Sequence, residues 1–134
     1  MNVFDRRQKS AGKMWLPLFL SFVFFFVPAQ ACAMSEEEKI ATLIESIGNT
    51  PEGTQFVRNG KAYGVAEATS HLNHKYSRVK SKVKTAEDFI KHVASGSSVS
   101  GEAYLIRYPD GTSVTAAVFF TEKLRGLKGE RQRS

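Results

Sequence analysis

Between Ser35 and Gly48 the apolar residues recur at the spacing of an α-helix. Four of them fall at i, i+3, i+4 and i+7 and share one face: Ile40, Leu43, Ile44 and Ile47. Ser35 and Glu38 have the spacing of a capping box, and three successive glutamates lie at the positive end of the helix dipole. The pattern therefore predicts a helix that begins after Ser35 and stops at Gly48 in a left-handed conformation.

The segment FVRNGKAY, residues 56–63, predicts a β-hairpin. Asn59 and Gly60 tolerate the positive φ angles that a two-residue type I′ turn requires. The expected cross-strand pairs are Phe56 with Tyr63 and Arg58 with Lys61. The second pair places two positive charges opposite each other, which is mildly unfavourable. The alternative is a single short strand whose turn leads directly into the next helix.

Residues 65–83 predict a long amphipathic helix. Its apolar stripe comprises Val65, Ala68, Leu72, Tyr76, Val79 and Val83. A break from about Ser77 is the alternative, because SRVKSKVK also alternates like an edge strand. A second capped helix is expected over 85–96, where Thr85 and Asp88 repeat the capping pattern and Gly96 supplies the stop. That helix should bury Phe89, Ile90 and Val93.

The C-terminal third begins with YLIRY, an alternating segment typical of a strand, followed by the turn PDG. The remainder, residues 112–127, fits a strand or a helix, and we expect a short strand to about Val114 followed by a closing helix. Together the elements predict a small α+β domain, with three or four helices on a short antiparallel sheet. One domain is expected over 34–127, followed by a disordered basic tail over 128–134.

Residues 1–33 have the pattern of a secretory signal peptide. A basic leader precedes the apolar run Trp15–Val27, which ends in Pro28 and small residues. As a helix this run would span about 20 Å, short of the roughly 30 Å of a bilayer core. We therefore expect export to the periplasm of a Gram-negative bacterium and removal of the leader. Retention as a membrane anchor is the alternative.

Cleavage can fall before Cys32 or before Met34, since both positions follow a small-x-small pattern. Lipidation of Cys32 is a further alternative, which would make the chain a lipid-anchored structural protein. Ala29 and Gln30 fit a lipobox poorly. Cys32 is the only cysteine, so the protein forms no internal disulfide.

The positive charge of the chain lies mainly outside the expected domain. The whole sequence carries +6, but residues 34–134 hold 15 Lys and Arg against 12 Asp and Glu. Two of these three net charges belong to the tail. A domain this close to neutrality lacks the clustered positive surface that nucleic-acid binding needs. The basic run of Lys75, Arg78 and Lys82 could meet an acidic partner, but such runs are usually hydrated helix faces.

Candidate chemistry is sparse. Glu67, His71 and His74 share one helix face and are a weak candidate for a metal site, but their spacing differs from that of helical zinc enzymes. The sequence holds no nucleophile elbow, phosphate loop or dinucleotide fingerprint. It therefore implies no cofactor and no catalytic residue, and it favours a binding module over an enzyme.

The order of several segments resembles that of a family of small bacterial envelope proteins known only as a domain of unknown function, DUF5329. The segments are FVRNG, HLNHKY, TAEDFIKHVASGSSVSG, AYLIRYPDG and FFTEKL. The residues that match its motifs are Phe56, Arg58, Asn59 and Gly60; His71, Leu72, Lys75 and Tyr76; Glu87, Asp88, Phe89 and Ile90; and Ser98, Ser100, Gly101 and Tyr104. Many members have a cysteine before the first motif, where this chain has Gln55. The resemblance covers residues 35–127 and implies an envelope location and a fold, but no activity.

The resemblance suggests one cluster of polar residues that joins the hairpin, the long helix and the serine-rich loop. Its members are the candidate ligand-binding residues Arg58, Asn59, His71, Lys75, Tyr76 and Ser100. The plainer interpretation is that these side chains brace backbone groups of the loops. The leading hypothesis is a non-catalytic binding or accessory module for another envelope protein or an anionic ligand. The alternative is a hydrolase or metal enzyme that uses His71 with Ser100, or with His74 and Glu67.

Overall fold

The computed structural model describes residues 33–130 and, separately, Gly12. The rest of the expected leader, which includes Cys32, and the last four residues lie outside the described part of the chain. No helix within residues 33–130 is long and apolar enough to cross a membrane.

The described residues form an α+β fold, as expected. The helices are α1 (Glu36–Glu45), followed by a 3-10 turn (Ser46–Asn49); α2 (Val65–Val79); α3 (Ala86–Phe89), which continues as a π-helical turn (Ile90–Ala94); and α4 (Ala116–Glu130). The strands are β1 (Gln55–Arg58), β2 (Lys61–Tyr63), β3 (Leu105–Arg107) and β4 (Ser113–Thr115). All neighbouring strands are antiparallel, in the order β2-β1-β3-β4.

The predicted capping boxes are present at α1 and α3. Ser35 Oγ accepts from the Glu38 amide at 3.2 Å, and Glu38 Oε2 accepts from the Ser35 amide at 2.7 Å. Thr85 and Asp88 make the same reciprocal pair at 3.0 and 3.2 Å. Each pair satisfies two amides that the first helical turn would otherwise leave without partners.

The predicted left-handed stop at Gly48 is wrong. Gly48 is not among the described glycines with positive φ, and the chain leaves α1 through the 3-10 turn. The Thr50 amide closes that turn on the Ile47 carbonyl at 3.2 Å. The tighter turn keeps Ile47 fully buried, and this contact decides how the helix ends.

The hairpin has the predicted turn and register. Asn59 and Gly60 have φ angles of 49° and 73°. The cross-strand pairs are Phe56 with Tyr63 and Arg58 with Lys61. The alternative of a single strand leading directly into α2 is wrong, because β2 forms between them.

The long helix is shorter than its apolar stripe predicted. It ends at Val79, near the break considered at Ser77, and no edge strand follows among residues 80–85. The Val79 carbonyl accepts from the amides of Lys82 and Val83 at 2.8 and 3.2 Å. This turn brings Val83 back into the core without extending the helix.

The third helical segment also ends differently from the prediction. It widens into the π-helical turn, where the Ser95 amide bonds to the Ile90 carbonyl at 3.0 Å. Gly96 does not have a left-handed conformation and instead bridges Ala103. A Cβ on Gly96 would lie 2.6 Å from the Glu102 carbonyl oxygen, so close backbone approach is what requires glycine here.

The ambiguous C-terminal segment forms the predicted short strand, one residue longer than expected, and then helix α4. The helices pack together on one face of the sheet. The largest fully buried side chains are Phe89, Phe120, Ile40, Leu43, Ile47, Ile106 and Val93. Phe89 lies edge-on to Phe120 with ring centroids 6.1 Å apart, which joins α3 to α4 at the centre of the core.

Candidate functional site

Strand alternation places Arg58 on the inner face of the sheet. Phe56 pairs with Ile106 of β3 and packs against the core, so the residue two positions later lies on the same face. Because β1 ends at Arg58, its guanidinium reaches the end of the core beside α2. Tyr104, two residues before Ile106, lies on the same side of the sheet and is 9% exposed.

Arg58, His71 and Tyr104 form a hydrogen-bonded chain. Arg58 Nη1 lies 2.5 Å from His71 Nδ1 and 2.9 Å from Nε2. His71 Nε2 is 3.2 Å from the Tyr104 hydroxyl, and the two rings meet edge to face with centroids 5.9 Å apart. Arg58 also donates from Nη2 to the Tyr63 hydroxyl at 3.3 Å and covers the Tyr63 ring at 4.9 Å.

The hydrogen-bond distances suggest which nitrogen of a neutral His71 carries the proton. Arg58 Nη1 faces both ring nitrogens and can only donate, so we assign the acceptor role to the closer one, Nδ1. The imidazole proton is then on Nε2 and is donated to the Tyr104 oxygen. Burial, followed by the charges of Arg58, Lys75 and His74, lowers the pKa of His71. Burial raises the pKa of Tyr104, which keeps its hydroxyl protonated.

Lys75 braces the backbone one turn further along α2. Its ammonium donates to the carbonyls of Val93 at 2.8 Å and Gly96 at 2.5 Å, where the π-helical turn ends. It also lies 5.1 Å from the Tyr104 ring centroid. Burial and the nearby Arg58 charge lower the pKa of Lys75. Two positive groups therefore repel each other across this cluster.

The cluster has no ion pair within residues 33–130. The salt bridges between described side chains are Lys39–Glu36, Lys80–Glu37 and Lys128–Glu87, and none of them includes a residue of the cluster. Glu67 is the one carboxylate among the described residues that line the neighbouring cavity, but it is exposed and accepts from the Gly64 amide at 3.2 Å. The Arg58 charge is thus balanced neither by Glu67 nor by any other described carboxylate.

A cavity of about 140 Å³ lies under this cluster, between the sheet and the helices. Its apolar walls are formed by Phe56, Val57, Ala68, Leu72, Ala94, Ala116 and Phe120. Three of the seven are alanines from three different segments, and their short side chains leave the space open. The half-buried Arg58 and Tyr63 and the exposed Glu67 also line the cavity, and we call the side that they form its mouth.

The other candidate residues have separate roles. The Ser100 hydroxyl donates to Asn59 Oδ1 at 2.8 Å and so ties the serine-rich loop to the hairpin turn. Tyr76 lies edge-on to Phe89 at 5.7 Å and belongs to the core. Of the six candidates, the structure brings Arg58, His71 and Lys75 together, pairs Asn59 with Ser100, and places Tyr76 elsewhere.

The alternative catalytic and metal arrangements do not assemble among the described residues. No group of three His, Cys, Asp or Glu side chains there has the geometry to hold a metal ion. Glu67 and His74 are exposed, whereas His71 is turned toward Arg58. Ser100 is hydrogen-bonded to Asn59, and no hydrogen bond in residues 33–130 joins it to His71.

Sequence reasoning missed the tyrosines and the alanines of the site. Tyr104 could have been found by alternation with the buried Ile106, and Tyr63 by its pairing with Phe56. No local signal distinguished Ala68, Ala94 and Ala116, because alanine is common in any helix. Their common role is visible only in the structure, where the three side chains line one cavity.

These features define a small α+β domain in which Arg58 lies at the mouth of a largely apolar cavity. The profile of a family of unknown function (DUF5329) matches residues 34–128, and the chain belongs to that family. It is 41% identical over 69 residues to the uncharacterized protein YfeK of Salmonella typhimurium. That match covers 52% of this chain and 57% of the relative, so the chain spans little more than half of YfeK. No solved structure matches.

Proposed function

We propose that this protein is a non-catalytic binding module of the bacterial envelope, which holds an anionic group at Arg58. Export to the periplasm is part of this proposal. It is supported by the order of basic, apolar and small residues in the first 33 positions.

The observation that carries the proposal is the position of the Arg58 guanidinium. It borders a cavity and has no carboxylate partner among the described residues. Its protein contacts include the uncharged His71 ring and both the hydroxyl and the ring of Tyr63, none of which carries a negative charge. A guanidinium in such surroundings pairs favourably with a carboxylate or phosphate.

Bracing explains other parts of the cluster better than binding does. Lys75 is committed to two backbone carbonyls, and Ser100 to the hairpin turn. Arg58 also links β1 to α2 through His71, but its acceptors are an uncharged ring nitrogen and a phenol, which leave the guanidinium without a counter-ion among the described residues. Arg58 is therefore the residue on which the binding proposal depends.

Equilibrium dialysis of the purified protein against a small-molecule extract of the bacterial envelope tests this function. Mass spectrometry should find acidic compounds enriched by the wild type and by Arg107→Gln, a control at an exposed arginine of β3. Arg58→Gln should lose that enrichment. Equal enrichment by Arg58→Gln, or none by the wild type, would contradict the proposal.

A further inference from the structure

The shape and lining of the cavity restrict what can bind at Arg58. We propose that the ligand is a monocarboxylate joined to an apolar group about the size of a benzene ring. This inference rests on the proposed binding function and adds the chemical class of the ligand.

The volume sets the size of the apolar group. Dry protein cavities of about 150 Å³ lined by aliphatic and aromatic side chains accept benzene. The cavity here, at about 140 Å³, has the same size and the same kind of wall. A phenyl ring or a short alkyl chain would fill it, whereas a long acyl chain would not fit.

The apolar walls of the cavity offer no partner to a polar ligand. The polar side chains in the described lining, Arg58, Tyr63, Glu67, His71 and Tyr104, belong to the Arg58 cluster or lie beside it, and the other seven lining residues are apolar. Polar groups of a ligand that enter this part of the cavity would lose their hydrogen bonds to water without gaining new ones. The free-energy cost of that loss exceeds the gain from burying them. The part of the ligand inside the cavity must be apolar, which excludes sugars and other polyhydroxylated compounds.

The mouth sets the charge of the head group. Arg58 is the one cationic side chain among the described residues that line the cavity, and the Lys75 ammonium lies outside that lining and donates to the carbonyls of Val93 and Gly96. The neutral His71 adds no charge, and the nearby Glu67 carboxylate opposes a second negative charge on the ligand. A single carboxylate matches the fork of the guanidinium and its charge.

The tautomer assigned to His71 leaves a donor beside this head group. Tyr104 accepts from His71 Nε2, so its own hydroxyl hydrogen is not used in that bond. A carboxylate at Arg58 would have this hydroxyl as a second donor. The apolar walls below and the two donors above then orient the ligand with its head at the mouth.

Isothermal titration calorimetry with defined probes tests the inference on the full protein. Phenylacetate and hexanoate carry both parts of the proposed ligand. Acetate lacks the apolar group, benzyl alcohol lacks the charge, benzylamine reverses it, and phenyl phosphate adds to it. We expect phenylacetate and hexanoate to bind at least about tenfold more tightly than acetate, benzyl alcohol or benzylamine, as the loss of a charge-assisted hydrogen bond or of a buried ring would produce. Phenyl phosphate should bind more weakly than phenylacetate, because the Glu67 carboxylate opposes its additional negative charge.

Matched variants locate the site. Ala68→Leu should abolish phenylacetate binding by filling the cavity, and Ala66→Leu, at an exposed position of the same helix, should not. Arg58→Gln should weaken binding about tenfold or more, and Arg107→Gln should leave it unchanged. Equal binding of benzyl alcohol, or binding that survives Ala68→Leu, would overturn the inference.

The outcomes separate this inference from the proposed function. Binding of inorganic phosphate or phenyl phosphate through Arg58, with no binding of phenylacetate, would overturn the ligand class and leave an anion-binding module. If none of the anions bound and the envelope extract yielded no acidic compound, both proposals would be wrong.

Discussion

Arg58 of β1 and His71 of α2 are joined by a 2.5 Å contact between Nη1 and Nδ1, which links a hairpin strand to the helix beside it. The pairing is unusual because both side chains are bases. It is compatible only with a neutral imidazole, since a protonated ring would present a donor to a donor. The contact therefore makes the protonation of His71 and the integrity of the site depend on each other.

The stability of the fold should depend on pH through His71. Its pKa is lowered in the folded state from the ordinary value of 6.5, first by burial and then by nearby positive charges. The unfolded chain thus binds a proton more readily, and stability falls as the pH drops below about 6.5 toward the folded-state value. Denaturant unfolding at several pH values between neutral and mildly acidic should show this loss.

The groups around His71 determine how the pH experiment is controlled. The charged or titratable side chains near it are Arg58, Tyr63, Glu67, His74, Lys75 and Tyr104. His71→Gln should flatten the pH dependence above pH 5, and His74→Gln, at an exposed position, should retain it. The carboxyl groups with lowered pKa, such as Glu36 and Asp88, start from lower ordinary values and act in a more acidic range. A slope unchanged by His71→Gln would contradict the assignment.

Lys75 should be a stability residue rather than a surface charge. Lys75→Met removes the donor of two carbonyls, and we expect a loss of about 2–3 kcal/mol in the free energy of unfolding. The exposed Lys82 provides the control, for which the change to Met should stay within about 0.5 kcal/mol. Urea denaturation measures both. Equal small effects would mean that the ammonium does not hold the π-helical turn.

Gly96 and Gly126 should respond to alanine in opposite directions. At Gly96 the new Cβ would meet the Glu102 carbonyl oxygen at 2.6 Å, so Gly96→Ala should cost about 2 kcal/mol or more. Gly126 lies in α4 with open space around it, and Gly126→Ala should stabilise the helix by about 0.5–1 kcal/mol. Thermal and urea unfolding should show changes of opposite sign in the free energy of unfolding for the two variants. A Gly96→Ala variant as stable as the wild type would show that the backbones at Gly96 and Glu102 do not approach this closely.

The empty cavity should lower the free energy of unfolding of the ligand-free protein. Ala68→Leu would fill part of it and should raise the free energy of unfolding by about 1 kcal/mol. Ala66→Leu, on the exposed side of α2, should change it by less than about 0.5 kcal/mol. The stabilised variant is the one expected to lose ligand binding. A destabilised Ala68→Leu would indicate a space too small for the added carbons.

Export predicts a shortened protein in the periplasmic fraction. Mass spectrometry of that fraction should find a chain that begins at Cys32 or Met34. An acylated Cys32 would instead support the lipid-anchored alternative. Intact protein that begins at Met1 and stays in the cytosol would contradict export.

The elements of the fold could be predicted because their signals are local. The caps at Ser35 and Thr85 and the Asn59-Gly60 turn each depend on residues within four positions of one another. The errors came where tertiary contacts override such signals. Because Ile47 is buried, the chain continues past α1 as a 3-10 turn. Because Val83 is buried, the chain turns back toward the core after α2.

The site was predicted less completely for the same physical reason. Arg58, His71 and Lys75 were identified from shared motifs, but their contacts run across 13 to 21 positions of sequence. Whether such a residue stabilises the backbone or binds a ligand depends on a third segment of the chain, which its own motif does not specify. Lys75 donates to carbonyls at the end of the π-helical turn. Arg58 instead borders a cavity whose lining residues come from several separate segments of the chain.

A crystal structure of the protein, determined from crystals grown with phenylacetate, tests the central claim most directly. The account predicts the ring between Ala68, Ala94 and Ala116, with its carboxylate against the Arg58 guanidinium. An empty cavity at saturating phenylacetate, or a ring bound elsewhere on the protein, would contradict it.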